Sequence, residues 1–182
     1  MALVYVFFAN GTEEIEGLTV LDLLRRADMK VESVSIEEKR EVMGSHEISI
    51  KTDKCFTDIV INEADMLVLP GGMPGTKNLL ADEELKKAII EFQQNGKMLA
   101  AICAAPIVLG AAGVLEGKKA TCYPGYEDKL IGASYVEQPV VCDGNIITSR
   151  GLGTAIEFSL AIIEHYCGSE KAQQIKNAII YR

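Results

Sequence analysis

The sequence has few of the features that bring a protein to a nucleic acid or a membrane. Its 182 residues contain 18 basic and 26 acidic side chains, which gives a formal net charge of −8. No basic block offsets that charge, so neither a nucleic acid nor an anionic membrane is expected as a partner. No apolar run approaches the roughly 20 residues of a membrane-spanning helix. The apolar residues 2–8 lack a basic leader and are interpreted as a core strand rather than a signal peptide.

Cysteine and histidine are too scattered for the common disulfide and zinc frameworks. The five cysteines are odd in number and fit no paired spacing, at positions 55, 103, 122, 142 and 167. We therefore expect no metal site and a location in the reducing cytoplasm. The two histidines, His46 and His165, are the only candidates for a Cys–His pair, and no sequence pattern places either beside a cysteine.

Apolar strands alternate with helical segments along the chain, which is interpreted as one domain, 1–182. Strands are predicted at 3–8, 31–36, 65–70 and 98–102, with hairpins at 42–50 and 140–149. Helices are predicted at 12–26 with Thr12 as the N-cap, at 78–94 as one or two helices, and at 106–112, 155–167 and 170–180. This alternation predicts an α/β sandwich with an open, mostly parallel sheet, in which ligands bind at the carboxyl ends of the strands.

Cys103 stands where the strand at 98–102 meets a helix that begins near Pro106. Proline fits the first turn of a helix, so Cys103 is predicted at a sharp turn with its sulfur near a helix N-terminus. The partial positive charge there favours a thiolate, which predicts a nucleophilic and easily oxidised cysteine. The alternative is that Cys103 is a small buried core residue, as most free cysteines are.

Glu16 and the pair Gly71-Gly72 are predicted at the same edge of the sheet as Cys103, because each follows a strand. Two glycines let the backbone approach a ligand closely and expose its N–H groups. The N–H groups of Gly72 and Ala104 could then form an oxyanion hole beside the nucleophile.

Three glutamates open the first predicted helix. For Glu13 and Glu14, stabilisation of that helix is the favoured interpretation. Glu16 could do the same. It could instead stay protonated and donate a hydrogen bond to the cysteine sulfur, or shuttle a proton during catalysis.

Five motifs occur in the order seen in the ThiJ/PfpI superfamily, and the resemblance covers essentially the whole chain. The motifs are Gly11–Glu16, Leu69–Gly72, Ala100–Pro106, Thr121–Pro124 and Thr148–Thr154. The chain looks most like the branch that contains the parkinsonism-associated protein deglycase and its bacterial homologues. The resemblance implies a flavodoxin-like three-layer sandwich, similar to the class I glutamine amidotransferase domain, and a homodimer.

The same resemblance implies the role of each site residue. Cys103 matches the easily oxidised nucleophile, and Glu16 matches the protonated glutamate that hydrogen-bonds it. Gly72 and Ala104 match the backbone donors. The residues expected to bind substrate or to support the site are Gly71, Tyr123, Arg26 and His46. Arg25 or Arg26 is expected on the side of the protein that forms the dimer. At the position of His46, some relatives carry an arginine that one subunit contributes to the site of its partner.

The function implied is that of a cofactor-free, cysteine-dependent deglycase or glyoxalase. Its substrates would be methylglyoxal, glyoxal or the groups that they modify, with a protective role in carbonyl and oxidative stress. The alternative is a non-catalytic redox sensor or redox-regulated chaperone that uses the same cysteine. A peptidase is disfavoured, because Tyr123 stands where many relatives carry a histidine, and amidotransferase chemistry is disfavoured because the downstream His-x-Glu pattern is missing.

Overall fold

The computed structural model describes residues 2–182. The strands are β1 (Leu3–Phe8), β2 (Lys30–Ser35), β3 (Glu41–Met43), β4 (Ser49–Lys51), β5 (Lys54–Cys55), β6 (Met66–Leu69), β7 (Met98–Ile102), β8 (Lys119–Ala120), β9 (Ser134–Tyr135), β10 (Val140–Asp143) and β11 (Ile146–Ser149). The helices are α1 (Glu14–Arg26), α2 (Gly75–Ala81), α3 (Glu83–Gln94), α4 (Pro106–Ala111) and α5 (Ala155–Ala178).

Seven strands form the central sheet, in the order β10-β11-β7-β6-β1-β2-β5. Every pair of neighbours is parallel except β10 and β11, which form the antiparallel hairpin at the edge. The hairpin β3–β4 forms a small sheet of its own. The prediction of a mostly parallel central sheet, with a small hairpin off it, is confirmed.

The central strands are buried on both faces, which explains their unbroken apolar sequences. In β1, Tyr5 and Phe7 pack with residues of α2, α3 and α4, whereas Val6 and Phe8 pack with residues of α1 and α5. Helices therefore cover the sheet on both sides and complete the three-layer sandwich. The flavodoxin-like fold class that the resemblance implied is confirmed.

The structure corrects the predicted start of α1 and shows where α2 ends and α3 begins. Glu13, not Thr12, is the N-cap of α1, and the Glu13 carboxyl accepts the N–H of Glu16 at 2.7 Å. Thr12 is used elsewhere, because its hydroxyl accepts the N–H of Ala9 at 2.9 Å and closes the turn after β1. The segment 78–94 is divided between two helices, since Asp82 ends α2 and caps α3.

The predicted break between the last two helices is present, because Gly168 has a non-helical backbone with φ = 85° inside α5. Across residues 2–182, the helices are too short or too polar to cross a membrane.

The order of the strands determines where the site lies. β7, β6 and β1 are adjacent in the middle of the sheet, so their carboxyl ends meet at one edge. Cys103 directly follows β7, Gly71-Gly72 follow β6, and the turn after β1 leads into the first turn of α1 with Glu16. Parallel strands with crossover helices bring together three segments that are far apart in sequence.

Asp53 links helix α1 to the sheet. Its carboxylate accepts hydrogen bonds from the N–H and the hydroxyl of Ser33 in β2, both at 2.8 Å, and from the Arg25 guanidinium at 2.7 Å. Burial alone would raise the pKa of Asp53, but these donors outweigh it and lower the pKa below its usual value. A lowered pKa means that the ionised carboxylate stabilises the folded state.

We expect Asp53→Asn to lower the free energy of unfolding by about 1–2 kcal/mol at neutral pH, because it weakens three charge-assisted hydrogen bonds at a partly exposed site. Asp22→Asn is the matched control, since Asp22 pairs with Arg26 only on the exposed surface of α1. That change should leave the free energy of unfolding almost unchanged, because water screens a pair on the exposed surface.

Urea unfolding as a function of pH tests both expectations. The stability that Asp53 contributes is present above its unfolded-state pKa and is lost as the pH falls through the lowered folded-state pKa. The difference between the wild type and Asp53→Asn should therefore shrink in acid. Equal effects of the two substitutions at neutral pH would contradict the role of Asp53.

Candidate active site

Cys103 lies at a tight turn between β7 and α4, as the sequence predicts. Its backbone is left-handed, with φ = 64°, a conformation that a non-glycine residue rarely adopts. The surroundings hold it there: the Cys103 N–H donates to Ser149 O at 3.0 Å, and the Cys103 carbonyl accepts from Tyr123 N–H at 2.8 Å. The turn presents the half-buried sulfur at the carboxyl edge of the sheet. Strained conformations of this kind are typical of functional sites.

The Glu16 carboxyl is buried beside Cys103, with only 1% of the residue exposed. Its Oε2 accepts the N–H of Gly71 at 2.9 Å, and its Oε1 is buried without a well-oriented partner. The Cys103 side chain also interacts with this carboxyl group. Gly71 makes the approach possible, because a Cβ there would lie 2.5 Å from Cys103 Cβ and 2.8 Å from Glu16 Oε2.

Burial raises the pKa of Glu16 to about 7, although contacts with Cys103 and Gly71 N–H act in the opposite direction. A pKa raised this far allows Glu16 to hold a proton near neutral pH. This agrees with the prediction that the carboxyl group can hold a proton, and it also makes the ionised form available as a base at the same pH.

The prediction that the Cys103 thiol has a lowered pKa is wrong. Burial, followed by the negative charge of Glu16, raises the thiol pKa to about 12. Helix α4 has only six residues, so its N-terminus supplies little opposing charge. The thiol therefore keeps its proton in the resting protein, and a thiolate forms only when a neighbouring group takes that proton.

Gly72 and Ala104 direct their backbone N–H groups at the Cys103 sulfur, and both contacts favour the thiolate. Gly72 has φ = 93°, a conformation suited to glycine. A Cβ at Gly72 would clash with the backbone of the turn before α1. The donors predicted from the sequence therefore lie at the Cys103 sulfur, where they can stabilise negative charge on the sulfur or on an oxygen bonded next to it.

A pocket of about 120 Å³ opens over Cys103. Its walls are formed by Gly72, Met73, Cys103, Ala104, Tyr123 and Tyr126. Sequence reasoning missed Met73 and Tyr126. The signals available for them were the position of Met73 directly after the Gly71-Gly72 pair and the aromatic loop 123–126. The Tyr123 and Tyr126 rings pack edge to face, 6.5 Å apart, and form one wall.

Larger grooves of about 630 and 540 Å³ run along α5. Neither is lined by Cys103, Glu16 or Gly72, so we assign the candidate active site to the smaller pocket, where the reactive groups converge.

Four predicted site residues do not line the Cys103 pocket of their own chain. Glu16 and Gly71 still adjoin Cys103 itself, whereas Arg26 and His46 pair with other residues. Arg26 is exposed and pairs with Asp22 one turn earlier in α1, at 2.6 Å. His46 lies in the loop between β3 and β4, and its Nδ1 is 2.9 Å from Glu14 Oε2. His165 packs edge to face on Tyr166, with ring centroids 4.7 Å apart.

The three glutamates at the start of α1 differ in what they do. Glu13 caps its own helix, which confirms that interpretation. Glu14 lies in the first turn of α1, as the helix-stabilising interpretation requires, and its carboxylate has a second role that the sequence did not indicate. It accepts the N–H of His46 at 2.7 Å through Oε1, and its Oε2 lies 2.9 Å from the His46 ring Nδ1. These contacts overcome the effect of burial and lower the pKa of Glu14 to about 2.

Comparison with known proteins agrees with this geometry. The chain is 40% identical over 176 residues to protein DJ-1 homolog B of Arabidopsis thaliana, a match that covers 96% of this chain and 40% of that protein. The chain thus spans less than half the length of this relative. It is 29% identical to the glutathione-independent glyoxalase DJ-1 of Schizosaccharomyces pombe, over 98% of both chains.

A solved structure of oxidized DJ-1 from Toxoplasma gondii superimposes with a TM-score of 0.95 at 36% identity, over 100% of this chain and 99% of that one. The family model described as the DJ-1/PfpI family matches residues 2–165, a range that includes Glu16, Gly71-Gly72 and Cys103. The chain therefore belongs to the DJ-1/PfpI family, as its resemblance to the ThiJ/PfpI superfamily predicted.

Proposed function

We propose that the protein is a cysteine-dependent enzyme that acts on small 2-oxoaldehydes such as methylglyoxal and glyoxal, or on the groups that they modify. The observation that carries the proposal is the buried Glu16 carboxyl, with a pKa of about 7, beside the Cys103 thiol. A base with a pKa near the operating pH is suited to move a proton during catalysis. The name of the Schizosaccharomyces pombe relative, a glutathione-independent glyoxalase, supports the same reaction class.

The geometry supports a reaction that begins with nucleophilic addition. Glu16 takes the thiol proton as the Cys103 sulfur attacks the aldehyde carbon, which gives a hemithioacetal. The N–H groups of Gly72 and Ala104 stabilise the charge that develops on the former carbonyl oxygen. Glu16 first returns its proton to that oxygen, which becomes a hydroxyl, and is again a carboxylate. It then takes the proton from the first carbon and delivers it to the second, while the hydroxyl proton moves to the second oxygen, which gives a thioester of the 2-hydroxy acid. Water hydrolyses this thioester and regenerates the thiol, so methylglyoxal and one water become lactate.

The size of the pocket favours small substrates. Its volume of about 120 Å³ is roughly four times the ~30 Å³ that one water occupies in the liquid. A three-carbon dicarbonyl fits in such a space. For a modified amino or thiol group, only the adduct itself would enter, and the rest of the molecule would stay outside. Neither histidine lines this pocket, so we do not propose peptidase activity.

We expect Cys103→Ser to abolish lactate formation from methylglyoxal, because the hydroxyl is a far weaker nucleophile. Glu16→Gln should lower kcat by roughly 100- to 10,000-fold, the usual contribution of a general acid–base. Cys142→Ser is the matched control, since Cys142 is exposed on β10 and absent from the pocket. Lactate production by Cys103→Ser at the wild-type rate would refute the enzyme proposal.

The pH dependence provides an independent measurement on the same variants. Because the base is the ionised carboxylate, kcat/KM of the wild type should rise with pH and level off above the Glu16 pKa of about 7. Glu16→Gln should lack this inflection, since an amide does not titrate. A wild-type profile that is flat from pH 5 to 9 would remove Glu16 from the proton transfer.

A second candidate function is a redox sensor or redox-regulated chaperone based on the same cysteine. The close match to the oxidized Toxoplasma gondii structure favours it. Two equivalents of peroxide convert a thiol to a sulfinate. A protonated Glu16, together with Gly72 and Ala104 N–H, would donate hydrogen bonds to the sulfinate oxygens.

In this case Glu16→Gln should preserve sulfinate formation, because the amide still donates, while the shorter side chain of Glu16→Asp should weaken it. Intact mass spectrometry after mild peroxide treatment measures which thiol first gains two oxygens. Equal oxidation of Glu16→Asp and the wild type would count against the donor role. A protein that makes no lactate, yet holds unfolded clients in proportion to its oxidation, would favour the sensor over the enzyme.

We further propose that the protein acts as a homodimer in the cytoplasm. Helix α1 exposes Ile15 and Leu18, and the hairpin beside it exposes Met43 and Ile48. Light scattering should give the mass of two chains for the wild type and of one chain for the double variant Ile15→Lys/Leu18→Lys. Ile131→Lys, a change at an exposed position away from α1, should stay dimeric. A monomeric wild type would exclude the dimer.

A further inference from the structure

A second cluster of chemically active groups lies between the start of α1 and the loop 44–48. Glu13 Oε1 and Glu14 Oε2 are 3.9 and 2.9 Å from His46 Nδ1. The hydroxyl of Ser45 lies 3.0 Å from the same nitrogen and 3.3 Å from Glu14 Oε2. Within residues 2–182, Glu13, Glu14 and His46 are the set of side chains whose ligand atoms come close enough together to hold a metal ion.

The cluster carries more negative charge than its protein partners neutralise. Glu13 and Glu14 are 8% and 1% exposed, and among the described residues His46 is the only side chain that forms an ion pair with either. Glu13 uses Oε2 to cap α1, whereas its Oε1 accepts no hydrogen bond from residues 2–182 and faces the cluster. Solvent reaches this oxygen, since the Glu13 side chain is 11% exposed, so it is open to a cation that arrives from solution.

The three ligand atoms lie within 4.8 Å of one another, so a modest movement of the His46 ring would let them share one metal ion. With metal–ligand bonds of about 2.05 Å, the angle at the metal would be roughly 90° between His46 Nδ1 and Glu14 Oε2, which are 2.9 Å apart. It would be roughly 145° between His46 Nδ1 and Glu13 Oε1, which are 3.9 Å apart. The His46 side chain is 68% exposed, so its ring can rotate and bring both angles closer to those of a four-coordinate site. The two glutamates are fixed by α1 and provide the rigid half of the site.

We propose that Glu13, Glu14 and His46, assisted by the Ser45 hydroxyl, bind a divalent transition-metal ion of the Zn²⁺ class. An imidazole with carboxylates suits zinc and its neighbours, whereas magnesium and calcium prefer oxygen ligands alone. The ion would replace the proton that now lies between His46 Nδ1 and Glu14 and would tie the β3–β4 hairpin to α1. The site uses no cysteine and does not depend on the proposed enzymatic function.

Zn²⁺ titration of chelator-treated full-length protein, followed by calorimetry, tests the proposal. His46→Gln should weaken the affinity for Zn²⁺ by at least roughly 10- to 100-fold. Substitution of a residue that only supports a metal ligand already causes a loss of that size, and His46 is itself a proposed ligand. His46 is exposed, so this variant should fold. His165→Gln is the matched control, because it removes the other histidine of the chain and should leave the affinity unchanged.

Two further measurements separate this site from others. Cys103→Ser should bind Zn²⁺ as the wild type does, and NMR of the imidazole nitrogens should show that binding shifts His46 Nδ1 and leaves His165 unaffected. The proposal is overturned if the wild type does not bind, if His46→Gln binds as tightly as the wild type, or if binding disappears in Cys103→Ser, which would indicate a thiolate site.

Discussion

The contact between the buried Glu16 carboxyl and the Cys103 thiol is the interaction on which the chemistry proposed for this protein depends. Burial makes the charged form of each group costly, so both pKa values are raised and the thiol holds its proton near neutral pH. The pKa of the Cys103 thiol lies well above that of the Glu16 carboxyl, so transfer of the thiol proton to the carboxylate requires further stabilisation of the thiolate. The N–H groups of Gly72 and Ala104 act in that direction, because they stabilise negative charge at the sulfur.

The sheet and two glycines make this contact possible. Three adjacent parallel strands end at one edge, and each delivers one component of the site. Gly71 lies between Cys103 and Glu16, where any side chain would separate them. The left-handed backbone of Cys103 is held by hydrogen bonds to Ser149 and Tyr123, so the surrounding fold stabilises a local conformation that is unfavourable by itself.

The enzyme and the sensor hypotheses require the same groups around Cys103 and differ in the molecule that reacts with its sulfur. A dicarbonyl would be attacked, with Glu16 as the base, whereas peroxide would oxidise the sulfur, with Glu16 as a hydrogen-bond donor. The small pocket and the tyrosine wall restrict what arrives, which makes small molecules the natural reactants in both cases. The Glu13–Glu14–His46 cluster lies next to this site, since Glu13 accepts the N–H of Glu16, yet it has its own ligand chemistry.

The sequence by itself determined the sandwich, the turn at Cys103 and the convergence of Glu16, Gly71-Gly72 and Cys103, because apolar periodicity and strand ends are local features that parallel topology brings to one edge. Only the tertiary structure decided the cap of α1, the pairing of Glu14 with His46, the pocket walls at Met73 and Tyr126, and the direction of the thiol pKa. Each of these depends on how deeply a group is buried and on which distant residue faces it. The sequence pattern predicted a lowered thiol pKa, because Cys103 precedes a helix. In the folded protein, burial and the Glu16 carboxylate, which follows a different strand, raise that pKa by more than the short helix α4 can lower it.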